Sequence, residues 1–220
     1  MQQKNLNLKK QRVAAMPLID HVMQELGLRE ILAGALKLKR HTDCIEILVK
    51  NVLLTRSALY RVGEWADSFD PRHTRGGRFN DDVLARALDR LYLADRASLQ
   101  TRCVLAAVKR FGVDTSTIHN DSTSVSFDGA YADQDRKAVH LKRGHSKDHR
   151  PDLKQLVYSL SVAADEAIPV HFKTYDGNTT DDTTHQQTWL TLRGLLGKSD
   201  FLYVADSKLC TEENMATIDR

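Results

Sequence analysis

The sequence predicts an α/β protein: a helical N-terminal domain over residues 1–112, then an incomplete mixed β-sheet domain over residues 113–220. Two observations carry this. Apolar residues recur at helical spacing from about residue 13 to residue 112, and from residue 114 β-branched and aromatic runs bounded by turn residues replace them. A third observation supports a folded chain: 41% hydrophobic and 28% charged residues in 220 positions describe one sizeable core or two small ones.

Composition also excludes some classes. No apolar run approaches the roughly 18 residues of a membrane span, and Met1-Gln-Gln-Lys-Asn5 lacks the apolar stretch of a secretory signal. Cys44, Cys103 and Cys210 lie far apart without a C-x-x-C pair, which argues against a disulfide scaffold or a cysteine zinc site and suits a reducing cytoplasm. The net charge of +3 is unevenly spread. Lys4, Lys9, Lys10 and Arg12 open the chain without an acid, and residues 135–154 carry Arg136, Lys137, Lys142, Arg143, Lys147, Arg150 and Lys154 against three aspartates. Such stretches suit a polyanion partner, or else a solvated loop and tail.

The helical half reads in order as follows. Ile19, Val22, Met23 and Leu26 share a face, and Gly27 closes that helix. A second helix spans Leu28 to Leu36. Thr42 is expected to cap a third, with acids in its first turn and a stripe of Ile45, Leu48, Val49, Val52 and Leu53. Ser57 opens a short helix through Trp65, and the pair has a helix-turn-helix outline that any bundle also shows. Residues 67–80 read as a connection that Pro71 and Gly76-Gly77 keep irregular. Asn80 caps a helix to Leu91, and another runs from about Asp95 to Phe111 with Leu99, Cys103, Ala106 and Ala107 inward.

In the second half, Thr117 to Phe127 reads as a strand with one carboxylate, Asp121, in its middle. A buried acid needs a partner, such as a metal ion; the plainer alternative is an edge strand whose acid faces water. A basic connection (Asp128 to Lys154) leads to a hairpin of Gln155–Ala163 and Ile168–Tyr175 about Asp165-Glu166. The turn cluster Asp176–Asp182 opens a helix from about Thr183 to Leu196, with Trp189 inward. Phe201–Ala205 is a short strand that delivers a second acid, Asp206, at its C-terminal end, and Thr211 opens a last helix. Three antiparallel strands, a crossover helix and a strand beside the first make the opening of a ribonuclease-H-like sheet. That order brings Asp121 and Asp206 together, where Mg²⁺ (or Mn²⁺) would relieve their repulsion. His145 and His149 have zinc-like spacing, but nothing nearby completes a tetrahedral set.

Consecutive blocks of the chain resemble bacterial insertion-sequence transposases of the DDE class. They are His119-Asn-Asp-Ser-Thr-Ser124, Gly144-His-Ser-Lys-Asp-His-Arg-Pro-Asp-Leu-Lys-Gln155, Asp176-Gly-Asn-Thr-Thr-Asp181 and Val204-Ala-Asp-Ser207. Leu59–Trp65 and Phe79–Tyr92 resemble the long-chain branch with a helical N-terminal domain. The resemblance implies that Asp121 and Asp206 are the first two catalytic, metal-binding acids. It also implies DNA as partner, both transposon ends and target, and admits a homodimer. Lys142, Arg143, Lys147, Arg150 and Lys154 would then contact the DNA backbone, with Asn178 in the Gly177-Asn-Thr turn as a further contact or merely a turn residue. The family's third acid, a later glutamate, has no counterpart before residue 220, and the last helix stops without a terminator. The chain therefore reads as a truncated transposase, expected to turn over no DNA by itself. The alternative is a non-catalytic DNA-binding or regulatory protein derived from one.

Overall fold

The computed structural model describes residues 10–131, 138–145, 149–180 and 184–219. The chain divides into two compact units, Met1–Ala106 and Ala107–Arg220.

The first unit is helical: α1 (Met16–Glu25), α2 (Leu28–Leu36), α3 (Lys39–Leu54), α4 (Val62–Asp67), α5 (Pro71–Thr74), α6 (Asp81–Leu93) and α7 (Arg96–Phe111), whose last turn lies in the second unit. Gly27 sits between α1 and α2 at φ 58°, a left-handed conformation that glycine adopts without a Cβ penalty. Asn80 caps α6, its Oδ1 accepting from the Val83 N–H at 2.9 Å. Met16, Leu32, Leu36, Ile45, Trp65 and Phe69 are among the core residues.

Four expectations are corrected here. Helix α3 begins at Lys39, not Thr42: Thr42 is buried inside the helix and returns its hydroxyl to the Leu38 carbonyl. The face α3 buries is also different, because Val52 and Leu53 are exposed while Glu46 and Lys50 are 4% and 2% exposed. Burial of these charges is tolerated because each is partnered. Glu46 meets the Arg29 and Arg75 guanidiniums. Lys50 pairs with Asp20 and donates to the His73 carbonyl at 2.6 Å. Desolvation pushes the Glu46 carboxyl upward, with Arg29 opposing most strongly. Ser57 opens no helix; a 3₁₀ turn at Leu59–Arg61 precedes α4. Within residues 67–80, Pro71 starts a helical turn rather than preventing one, since Asp70 caps it by accepting from the Arg72 N–H.

The second unit contains β1 (Thr117–Phe127), β2 (Lys154–Ala163), β3 (Pro169–Asp176), α8 (His185–Leu196), β4 (Leu202–Val204), a 3₁₀ turn at Ser207–Leu209 and α9 (Glu212–Ile218). The sheet order is β3-β2-β1-β4, with β1 antiparallel to β2 and parallel to β4. This is the strand order of the opening of a ribonuclease-H-like sheet, and it puts β1 inside the sheet rather than at its edge. The predicted start of α8 at Thr183 lies outside the described residues.

Alternation along the strands gives the sheet two unlike faces. Ile118, Asn120 and Ser122 of β1 and Val157, Ser159, Ser161 and Ala163 of β2 are buried. Helix α8 lies against that face: Trp189 packs 4.6 Å from Phe201, ring to ring, and His185 meets the Tyr203 hydroxyl at 3.0 Å. The buried hydroxyls are satisfied locally, Ser159 and Ser161 both donating to Asn120 Oδ1 at 3.0 and 2.8 Å. The opposite face carries His119, Asp121 and Thr123, all exposed, beside the partly buried Tyr158, Leu160 and Val162.

Candidate metal and nucleic-acid site

Asp121 and Asp206 reach the site from adjacent parallel strands. His119 is paired with Val204, the last residue of β4, and each acid lies two positions further along its own chain. Period-two alternation puts Asp121 on the same face as His119. Asp206 follows the strand's end, where its Oδ1 accepts the Lys208 N–H at 3.1 Å and caps the 3₁₀ turn. Asp121 Oδ1 accepts the Ser122 N–H at 2.7 Å. Both acids line one open hollow of about 520 Å³, floored by Leu160, Val162 and Val204. Both also line a narrow crevice with Thr184 and His185 behind it.

Two carboxylates over an apolar floor, open to solvent on one side, offer hard oxygen donors. Mg²⁺ is characteristically held by one or two carboxylates and retained waters, so the donor chemistry fits such an ion. Among the described residues no group of three or more His, Cys, Asp or Glu side chains could hold a metal ion, so the pair would need waters or substrate oxygens to complete its coordination. The zinc pattern at His145 and His149 gains no third ligand among them either.

Behind the acids, His185 is buried. Its Nδ1 faces the Tyr203 hydroxyl and its Nε2 lies 3.9 Å from Asp206 Oδ1. Burial is the largest influence on the Tyr203 phenol and raises its pKa well above the ordinary value, so it keeps its proton.

The basic connection is more engaged than its composition suggests. Lys142 pairs with Asp176, Nζ to Oδ2 at 2.6 Å. Arg143 donates to the Asp152 carbonyl at 3.2 Å, and Arg150 pairs with the Asp152 side chain at 2.7 Å. Lys154 donates to the carbonyls of Ala130 and Tyr131. Lys147 lies outside the described residues, as do Arg136, Lys137 and the terminal Lys4 and Lys9. The Asp176 carboxyl is drawn below the usual range, first by the His140 N–H and then by Lys142.

Asn178 lies elsewhere, in a groove of about 540 Å³ whose lining includes Ser124, His145, Thr180, Lys208 and Thr211. Ser122 and Thr123 border both this groove and the hollow of the acids. One buried side chain holds the groove's far wall: Gln155 Nε2 donates to the Gly177 carbonyl at 2.8 Å and to the His145 carbonyl at 3.2 Å. Gly177 permits this crossing, because a Cβ there would stand 2.0 Å from the Gln155 carbonyl oxygen and 2.4 Å from that of Lys142. The sequence reading missed Lys208, His185 and Tyr203. For Lys208 a signal existed, its position two residues after Asp206; nothing local marks the other two.

A family model described as a domain of unknown function, DUF4277, matches residues 8–105. No curated protein matches the chain. Among solved structures the chain is similar to a pre-cleavage Mos1 transpososome, at 11% identity and a TM-score of 0.31. It is similar also to a Mos1 transposase paired-end complex with left transposon end, at 12% identity and the same TM-score. Each alignment covers 83% of this chain and 57% of the other, so the chain spans a little over half the length of those proteins.

Proposed function

We propose that this chain belongs to the DNA-transposing machinery of an insertion sequence, with Asp121 and Asp206 as carboxylates that hold Mg²⁺ or Mn²⁺ at a DNA phosphodiester. The observation that carries the reading is the parallel pairing of β1 with β4, through which two acids distant in sequence line one hollow. The metal, when bound, would supply positive charge to the attacking and leaving oxygens of a phosphodiester. The chain's own residues would do the rest. The apolar floor of Leu160 and Val162 lowers the local dielectric and strengthens charge interactions above it. His185, held by Tyr203, backs Asp206.

In this reading the partner is DNA, as transposon end and as target, and a second copy of the chain would be needed to hold two ends at once. The sequence blocks that resemble DDE transposases support it, and so does the strand order that joins them.

Replacement of each acid by asparagine tests the proposal. The chain should bind DNA and take up Mn²⁺, and Asp121→Asn or Asp206→Asn should lower Mn²⁺ affinity at least tenfold while leaving DNA binding within twofold. Nicking of supercoiled DNA, if present in the parent, should vanish in both variants. Variants that bind Mn²⁺ and DNA like the parent would instead mark a DNA-binding protein without cleavage chemistry. A parent that retains no DNA would end both readings.

A further inference from the structure

We propose that the hydroxyl-lined groove beside the acids is the seat of one DNA strand's sugar–phosphate backbone, with Lys208 as its phosphate contact. This rests on the reading just given and adds to it where the strand lies. Three observations lead there. The groove presents neutral donors and acceptors from Ser124, Asn178, Thr180 and Thr211, with a single ammonium from Lys208. Hydroxyl, amide and ammonium groups are the usual partners of phosphate and sugar oxygens, and they position a strand without reading its sequence.

The groove also adjoins the acids along β1, since Ser122 and Thr123, the two residues after Asp121, line both spaces. Lys208 is tied to the acid itself: the Asp206 carboxylate accepts the Lys208 N–H, so the turn that sets one sets the other. A strand whose scissile phosphate lay at Asp121 and Asp206 would have its neighbouring phosphate toward Lys208.

Finally, the wall opposite is built rather than incidental. His140 accepts from the Gly177 N–H at 3.1 Å through its carbonyl, and its own N–H donates to Asp176 Oδ1 at 2.9 Å. Gln155, 1% exposed, ties the Gly177 and His145 carbonyls together. Lys142 and Arg150 hold this wall through Asp176 and Asp152, which assigns part of the charge of the basic connection to architecture, whereas Lys208 lines the groove directly.

The test is fluorescence anisotropy of labelled single-stranded and duplex oligonucleotides with the complete chain, in EDTA, over a range of salt. Lys208→Gln should weaken binding at least threefold and lower the slope of log K against log salt by about 0.7 for a single strand or 0.9 for a duplex, the loss of one phosphate contact. Asn178→Ala with Thr180→Ala should weaken binding about threefold with the slope unchanged. Lys198→Gln, at the far end of α8, serves as the control and should leave both quantities alone. Circular dichroism checks that each variant folds. If the parent binds DNA and Lys208→Gln matches the Lys198→Gln control, the groove assignment fails while the metal-site reading stands. If the parent binds no DNA, both fail.

Discussion

His119 of β1 pairs with Val204 of β4, the last register pair of the parallel ladder. Two steps beyond that pair stand Asp121 and Asp206. The ladder therefore does for the candidate site what a short loop could not: it brings two acids from opposite ends of the domain's sequence to one hollow. Loops tolerate register change, whereas a ladder with one buried face does not, because a one-residue slip would turn Ile118 outward and Asp121 inward. The position of the acids is thus tied to the burial of Ile118 and Tyr203 on the other face.

Divalent metal should stabilise the chain through these acids. A ligand that binds only the folded state adds RT ln(1 + [L]/Kd), about 1.4 kcal/mol when the ion is at tenfold its Kd. Thermal unfolding should shift upward by a few degrees on addition of millimolar Mg²⁺ or Mn²⁺. Asp206→Asn should remove the shift without lowering the metal-free midpoint. A parent whose midpoint ignores both ions would count against the site.

Gly177 offers a sharper test of the groove wall. Its missing Cβ faces two backbone oxygens, which cannot rotate away as a side chain can. Gly177→Ala should destabilise by about 1–3 kcal/mol, the range for forcing atoms into a filled space. Gly194, inside α8, has nothing within 4 Å of a built Cβ, so Gly194→Ala should be neutral or stabilise by up to about 1 kcal/mol. Denaturant midpoints for the two variants should move in opposite directions.

Asp176 gives the same wall a pH dependence. Its folded pKa is depressed by the His140 N–H and by Lys142, so the unfolded chain binds the proton more tightly. The stability it contributes is therefore present above the ordinary aspartate pKa of about 3.9 and is lost as pH falls through the lower folded value. Asp176→Asn should cost stability at neutral pH, and the difference from the parent should shrink below about pH 4. The carboxylate is partly exposed, so the neutral-pH cost should be modest, about 1 kcal/mol or less after solvent screening. Urea titrations at pH 3 and pH 7 would show whether the gap closes.

Elements whose evidence is local were legible in the sequence. β1 is bounded as expected because β-branched and aromatic residues (Thr117, Ile118, Thr123, Val125, Phe127) are spread through it between two turn regions, and α6 because Asn80 and two acids form its cap. The order of β4 beside β1 was legible because a crossover helix forces parallel pairing. Where the evidence is tertiary, the reading erred. A threonine within a helix and a threonine capping one look alike in sequence, and only the extended backbone of Leu38 decides between them. The buried face of α3 was misassigned because Glu46 and Lys50 are compensated by Arg29, Asp20 and His73, partners 17 to 30 positions away that no periodicity can reveal. The groove escaped notice for the same reason, since Gln155 joins segments from three separate stretches.

The last prediction concerns Tyr203 and His185 as positioning residues for Asp206. A phenol that burial keeps protonated can donate to His185 Nδ1, and the imidazole proton then resides on Nε2, directed at Asp206 Oδ1 from 3.9 Å. Groups that orient a metal-binding carboxylate typically change metal affinity by ten- to a hundredfold when removed. Tyr203→Phe keeps the ring that packs against Trp189 and deletes only the hydroxyl, so the fold should persist while Mn²⁺ affinity falls by several-fold. His185→Gln retains a donor and should fall less than His185→Ala. Mn²⁺ titrations followed by electron paramagnetic resonance read these affinities directly. A merely structural role would give losses for the two His185 variants that follow only their loss of stability, and no change for Tyr203→Phe.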